Sequence, residues 1–194
     1  MASTKDAALA RLLEHLSSAE PAAHPIKDYP TVRLSDPAEI TKAAAFLKDE
    51  LGFDYLEMIT AVDWLGPMQL DGLAAARTAA HPFKETPLKA DPPVTPAPGA
   101  GAAYRPVLDL LWSFGNLREN LKMFLRLEVP RDQAEVASLT ALFPAADWQE
   151  REAFDLLGVR FLGHPNLTKI LTTEDLAGHP LRKDYAHQKD RFDE

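Results

Sequence analysis

Nine residues near the middle of the chain constrain its fold more than any others. Leu121, Met123, Leu125, Leu127 and Val129 alternate with Lys122, Phe124, Arg126 and Glu128. A period of two sends successive side chains to opposite faces of a strand, so this segment is a strand with one face on the core. Such a strand needs sheet neighbours and a cover for its apolar face. Val107 to Phe114 reads as the strand before it, with Gly115-Asn116 as the turn, and Pro130-Arg131-Asp132 ends the pair. Tyr55 to Trp64 reads as a further strand.

Between those strands, residues 65–104 have a different texture. Pro82, Pro87, Pro92, Pro93, Pro96 and Pro98 crowd a short span rich in alanine. Proline removes a donor and fixes φ, so the expectation is an extended or disordered insertion that enlarges a hairpin loop.

The cover comes from two helices. Leu9, Leu12, Leu13 and Leu16 make one apolar stripe over residues 5–18. Asp36 and Pro37 announce a second helix, with Glu39 three residues after Asp36 as a capping-box partner. Ile40, Ala43, Ala44, Leu47 and Leu51 give its buried face, and Gly52 supplies a left-handed end. Thr31 to Leu34 is a short strand, with room for one more near 24–27. The fold class is therefore α+β, with two helices on a mixed, mostly antiparallel sheet.

Beyond residue 132 the pattern breaks up, which divides the chain into an α+β domain over 1–132 and an interaction segment over 133–194. Ser138 to Phe143 reads as a short helix. Asp147 reads as the cap of another over Trp148 to Leu157, with Glu150 as its box partner and Gly158 as its stop. Gly163, Pro165, Gly178 and Pro180 then interrupt the chain. A tail of this kind buries little of itself, and a partner surface would complete it.

Composition narrows the function. The formal net charge is −8, which disfavours nucleic acid. There is no cysteine, which removes disulfides, thiolate zinc and cysteine-ligated iron–sulfur clusters from this chain. No run approaches the roughly 18 apolar residues of a membrane helix, and the first residues carry no leader pattern. Glu150 and Glu152 fall on different sides of a helix and make a poor acid–base pair. His164 and His179 lack companion ligands, so a metal site is disfavoured and each reads as a loop histidine bonding backbone near its proline. Gly99-Ala-Gly101 lacks the third glycine of a dinucleotide loop. Arg151 and Asp155, four apart, are placed to pair on the helix.

One stretch carries more. Trp148-Gln-Glu-Arg-Glu-Ala-Phe-Asp-Leu-Leu-Gly-Val-Arg-Phe-Leu-Gly-His-Pro runs on to Ile170-Leu171 and to Asp175-Leu-Ala-Gly-His-Pro-Leu-Arg-Lys-Asp184. It resembles the signature of the 30-kilodalton, C-type subunit of respiratory complex I, the NADH:quinone oxidoreductase. Glu150, Arg151, Glu152, Asp155, Leu156, Leu157, His164, Ile170 and Leu171 match position by position. Thr60-Ala-Val-Asp63 and Ser138 to Trp148 extend the likeness, which covers most of residues 40–185. Thr168 departs from it, standing where the family has Lys, Arg or Pro. The insertion at 65–104 is also longer than the family's hairpin loop.

The resemblance implies a structural subunit with no cofactor of its own, in the peripheral arm on the cytoplasmic face of the cell membrane. The C-terminal segment would wrap the large D-type subunit of complex I, near the cluster-bearing B-type subunit. The holoenzyme would use NADH, FMN, iron–sulfur clusters and quinone, and translocate protons. It places Glu150, Arg151, Glu152, Asp155, His164, Lys169, Arg182, Lys183 and Asp184 at subunit interfaces. Two other readings stay open: the homologous subunit of a membrane-bound hydrogenase or formate hydrogenlyase, and a free-standing adaptor or hydrolase.

Overall fold

The computed structural model describes residues 4–23, 29–65 and 105–185. A five-stranded sheet forms its centre. In chain order the elements are α1 (Thr4–His15), β1 (Ala19–Ala22), β2 (Thr31–Leu34), α2 (Glu39–Asp49), β3 (Tyr55–Asp63), β4 (Val107–Asn116) and β5 (Leu121–Pro130). A 3-10 turn (Arg131–Gln133), β6 (Glu135–Ala137), α3 (Ala146–Leu157) and β7 (Arg160–Leu162) follow. The sheet order is β1-β2-β5-β4-β3. Only the β2–β5 pair is parallel, so the sheet is mixed and mostly antiparallel, as expected.

Register explains the two faces. Leu108, Leu110, Trp112 and Phe114 of β4 stand opposite Val129, Leu127, Leu125 and Met123 of β5. All eight are buried and form the inner face with Val32 and Leu34. The alternating residues build a polar outer face, where Arg126 pairs with Asp109 and Lys122 with Glu57. Leu12 of α1, Leu16 just after it, and Ile40, Ala43, Ala44 and Leu47 of α2 join the same core.

Strand β3 carries a bulge between Leu56 and Met58. An extra residue reverses the alternation, so Leu56 and Ile59, three apart, both turn inward. The reset also places Asp63 opposite Leu108, on the inner side of the sheet and buried.

Two parallel strands, β6 and β7, pair Val136 with Phe161, and α3 is the crossover between them. Parallel neighbours require such a connection. Ala146, Ala153 and Leu157 share one face of α3 and extend the core through Leu139, Phe143 and Phe161.

Several local expectations are corrected. Gly115 and Asn116 belong to β4, paired with Lys122 and Leu121, and the turn lies at 117–120. Residues 138–143 form turns rather than a helix, because Leu139 O accepts from both Leu142 and Phe143 N–H and no longer ladder follows. The strand sought at 24–27 and, apart from Leu65, the insertion expected at 65–104 lie outside the described residues; an edge strand not foreseen lies at 19–22.

Asp36 does not cap the second helix, whose N-cap is Ala38; its carboxylate accepts from Ala38 N–H at 2.8 Å in the turn that leads into Glu39. Glu39 does not reach back to close a box. Its two oxygens accept from the N–H groups of Ser17 and Ser18, each at 3.0 Å, and from both hydroxyls. Helix α1 stops at His15 rather than 18, leaving Ser17 and Ser18 to meet this carboxylate. The two serine hydroxyls are the main cause of a Glu39 pKa of about 2. Replacing Glu39 with Ala strands four donors, so Glu39→Ala is expected to lower stability by about 2 kcal/mol. Urea unfolding with an unchanged slope would check this.

Candidate functional site

Glu150, Arg151, Glu152 and Asp155 all lie on α3, but they face different surroundings. Glu150 is fully buried. It lies on the core face, where its oxygens accept from Ser138 Oγ and Leu139 N–H, both at 2.7 Å. The capping box expected from Asp147 is thus replaced by a contact to the preceding loop, and α3 starts before Asp147, at Ala146, with no side-chain cap. Burial raises the Glu150 pKa, and the bonds from Ser138 and Leu139 only partly oppose it.

Asp155 is also fully buried, beneath the C-terminal segment. It does not pair with Arg151. Its Oδ2 accepts from Ile170, Leu171 and Thr172 N–H at 3.1, 2.8 and 2.9 Å, and Oδ1 accepts from Thr172 Oγ1 at 2.5 Å. Burial pushes its pKa up, but the bonds from Thr172, Leu171 and Ile170 outweigh it and bring the value to about 2. Arg151 turns instead to Thr168, donating to its carbonyl at 3.1 Å and its hydroxyl at 2.9 Å, and lies over the Trp148 ring at 5.2 Å. Thr168, the departure from the family pattern, is therefore the acceptor for Arg151. Glu152 is exposed.

These contacts show the path of the tail. His164 meets the first turn of α3, with Nε2 donating to Asp147 O at 3.2 Å while Nδ1 accepts from Asn166 N–H. Thr168 meets Arg151, and 170–172 meet Asp155. His179 Nδ1 donates to Asp155 O at 2.9 Å, Leu181 N–H to Leu156 O at 3.0 Å and Arg182 Nε to Leu157 O at 2.7 Å. The segment runs alongside α3 and ends by satisfying its last carbonyls, where a cation also suits the helix dipole. Both histidines bond backbone, but only His164 does so near its own proline, at Asn166; His179 reaches across to Asp155 on α3. Lys169 Nζ donates to Leu176 O at 2.5 Å, drawing the intervening loop closed.

The end of this strap reaches a group that sequence reasoning missed. Arg131, 7% exposed, donates to both oxygens of Asp63 at 3.2 and 3.1 Å, and to Asp184 through Nη1 at 2.9 Å and Nη2. Asp63 also accepts from Lys183 N–H at 2.9 Å and Leu65 N–H at 3.0 Å. Burial opposes the Arg131 charge, yet Asp184 and Asp63 hold its pKa above the ordinary value, and Arg131 in turn depresses Asp184. The available signal was Asp63 itself, an acid at the end of a strand with an otherwise ordinary pattern. Its partner, 68 residues away, is invisible to periodicity. Among the described residues no three His, Asp or Glu side chains gather to hold a metal ion.

Gly158 closes α3 at φ +75°, and a Cβ there would lie 2.5 Å from His179 Nε2 and 2.6 Å from Arg182 Nη2. Both backbone conformation and strap contact therefore demand glycine.

The fold and this strapped helix define a class: a small α+β protein carrying its own ordered C-terminal segment across a helix. A family model described as "Respiratory-chain NADH dehydrogenase, 30 Kd subunit" matches residues 34–191, and the chain belongs to that family. Relatives named as the C-type subunit of NADH-quinone oxidoreductase agree. The one from Trichlorobacter lovleyi is 34% identical over 152 residues, 77% of this chain and 70% of its own length. That from Moorella thermoacetica is 58% identical over 64 residues, 33% of this chain and 43% of its own. That from Xanthomonas euvesicatoria is 35% identical over 158 residues, and the match spans 72% of this chain but only 60% of the relative. Two solved structures share the fold. A trypsin-resistant fragment of Nqo5 gives a TM-score of 0.56 at 18% identity, covering 85% of this chain and all of the fragment. A chain of an archaeal membrane-bound sulfane sulfur reductase gives 0.65 at 19%, covering 95% of this chain and 86% of that one.

Asp155 supplies a pH test. Its folded pKa lies below the ordinary 3.8, so its stabilisation is complete above that value and lost as pH falls toward about 2. The loss should amount to about 2 kcal/mol between roughly pH 5 and 2. Asp155→Asn should remove that part of the pH dependence in denaturant titrations. Gly158→Ala should cost about 2 kcal/mol through the left-handed φ and the displaced His179 and Arg182, read as a lower urea midpoint.

Proposed function

We propose that this chain is a structural subunit, without a cofactor of its own, in the peripheral arm of a proton-translocating NADH:quinone oxidoreductase. In that role it sits on the cytoplasmic side of the membrane and joins it through other subunits. The holoenzyme passes electrons from NADH through FMN and iron–sulfur clusters to quinone. This chain contributes rigidity, on which electron-transfer distances and quinone placement depend. Its neighbours are the large D-type subunit and the cluster-bearing B-type subunit.

The observation that carries the reading is where the large apolar side chains are exposed. Trp148 is 65% exposed, Leu162 51%, Leu171 62% and Leu181 57%, on α3, β7 or the strap, while Tyr55, Met58 and Val62 of β3 and Leu117 in the β4–β5 turn are exposed elsewhere. Solvent-facing side chains of that size on one segment suit a protein contact. Family membership supports the assembly, and the relatives' names supply its chemistry. No helix among the described residues is long and apolar enough to cross a membrane, which is compatible with attachment through partners.

Arg151, Glu152, Lys169, Lys183 and Asp184 remain interface candidates, while His164, its side chain closed to solvent and both ring nitrogens bonded within the chain, serves the interface indirectly. Glu150 and Asp155 serve the interface indirectly, since their carboxylates are consumed within the chain. Arg182 does the same from the strap, its Nε committed to the end of α3. Arg151→Glu should lower the amount of assembled complex severalfold while leaving electron transfer per assembled complex unchanged. Affinity purification of the tagged chain from its host's membranes would test both points. Recovery with flavin and iron–sulfur subunits and NADH:quinone reductase activity supports the reading. Recovery with a nickel-bearing large subunit, or of the chain alone, refutes it.

A further inference from the structure

Helix α3 carries four acids, Asp147, Glu150, Glu152 and Asp155, and one base, Arg151. That base pairs with none of them. Asp147 and Asp155 stand four residues to either side, the spacing at which opposite charges meet on a helix. Asp147 lies against His164, with Oδ1 3.3 Å from Nε2. Asp155 is occupied by the N–H groups of 170–172. Glu150 turns into the core, to Ser138 and Leu139. Glu152 projects roughly 100° further round the helix than Arg151.

Arg151 is nonetheless held in place. Nε and Nη2 donate to the carbonyl and hydroxyl of Thr168, and the guanidinium lies over the Trp148 ring. A guanidinium has five N–H donors, so Nη1 and the second hydrogen of Nη2 are left, side by side on its outer edge. That edge is the fork that grips a carboxylate with two parallel bonds. Among the described residues no carboxylate supplies it. The cation is half-buried and already ordered, so a partner's acid would meet it with little further loss of side-chain freedom. Beside it stands Trp148, 65% exposed. An exposed indole next to a fixed, unpaired arginine is the composition of an interface hot spot.

We propose, on the basis of the assembly role above, that Arg151 and Trp148 form the centre of the contact with a neighbouring subunit. Arg151 receives there the carboxylate of an Asp or Glu side chain of that subunit, and the subunit's apolar surface covers the Trp148 ring. The overall charge of −8 does not oppose this, because the acids of α3 nearest the fork are engaged within the chain.

Carbodiimide coupling reads the contact, because it joins an amine to a carboxylate only where the two touch. The complex carrying Arg151→Lys would be purified from host membranes, coupled, digested and mapped by mass spectrometry. The expected product is an amide between position 151 and an Asp or Glu of another subunit. The Lys122–Glu57 pair of this chain, 2.9 Å apart, is the internal control for coupling. Coupling there with no product at position 151 would overturn the proposal, as would a product joining position 151 to an acid of this same chain. Both outcomes are read in an assembled complex, so they leave the assembly role standing; failure of the unaltered chain to co-purify would remove that role instead. If Arg151→Lys does not assemble, phenylglyoxal, which modifies arginine, reads the unaltered residue. Arg151 should react at least tenfold more slowly in the complex than in the free full-length chain, and equal rates would overturn the proposal. Arg151→Gln should speed release of the chain from the complex about tenfold, the behaviour of a contact that loses one member of a charge pair. An unchanged release rate would count equally against it.

Discussion

A buried carboxylate that makes no ion pair among the described residues is the interaction on which the C-terminal third depends. Asp155 is removed from water, and four donors from one short segment take water's place. A carboxylate accepts up to about four such bonds, so the site is close to saturated. The segment so held has no regular structure of its own. Its donors would otherwise face solvent, and α3 would carry its strap only loosely.

The same device recurs through the molecule. Glu39 gathers Ser17 and Ser18, Glu150 gathers Ser138 and Leu139, and Asp63 gathers Leu65 and Lys183 around Arg131. Each joins an irregular stretch to a helix or strand. The number and kind of donors decide the electrostatic outcome. Two bonds leave the Glu150 pKa raised by burial, whereas four carry the Asp155 pKa down to about 2. Glu150 also lies deeper in the core, so a larger desolvation adds to its smaller number of hydrogen bonds.

Sheet geometry gives these contacts their positions. The bulge in β3 reverses the alternation once, which sends both Leu56 and Asp63 inward. Arg131 then comes off the end of β5, beside β4, and meets Asp63 from the neighbouring side of the sheet. The strap ends at this junction, next to the root of the β3–β4 connection. Arg131 therefore ties the tail to the sheet, and the tail in turn caps the end of α3.

Much of this was legible before folding. The period-two run at 121–129, the stripe at Leu9, Leu12, Leu13 and Leu16, and Gly52 and Gly158 as helix ends follow from local stereochemistry, which any chain obeys wherever it lies. The run from Trp148 to Asp184 was legible as a family resemblance. The roles of its charged residues were not. Glu39 and Glu150 have the spacing of capping boxes and Arg151 and Asp155 that of a helical pair, yet all four turn to residues between 11 and 22 positions away. Local spacing describes only neighbours available within a turn. Once packing excludes water, a carboxylate is drawn to whichever unsatisfied donors the fold brings within reach, and that choice belongs to the tertiary structure.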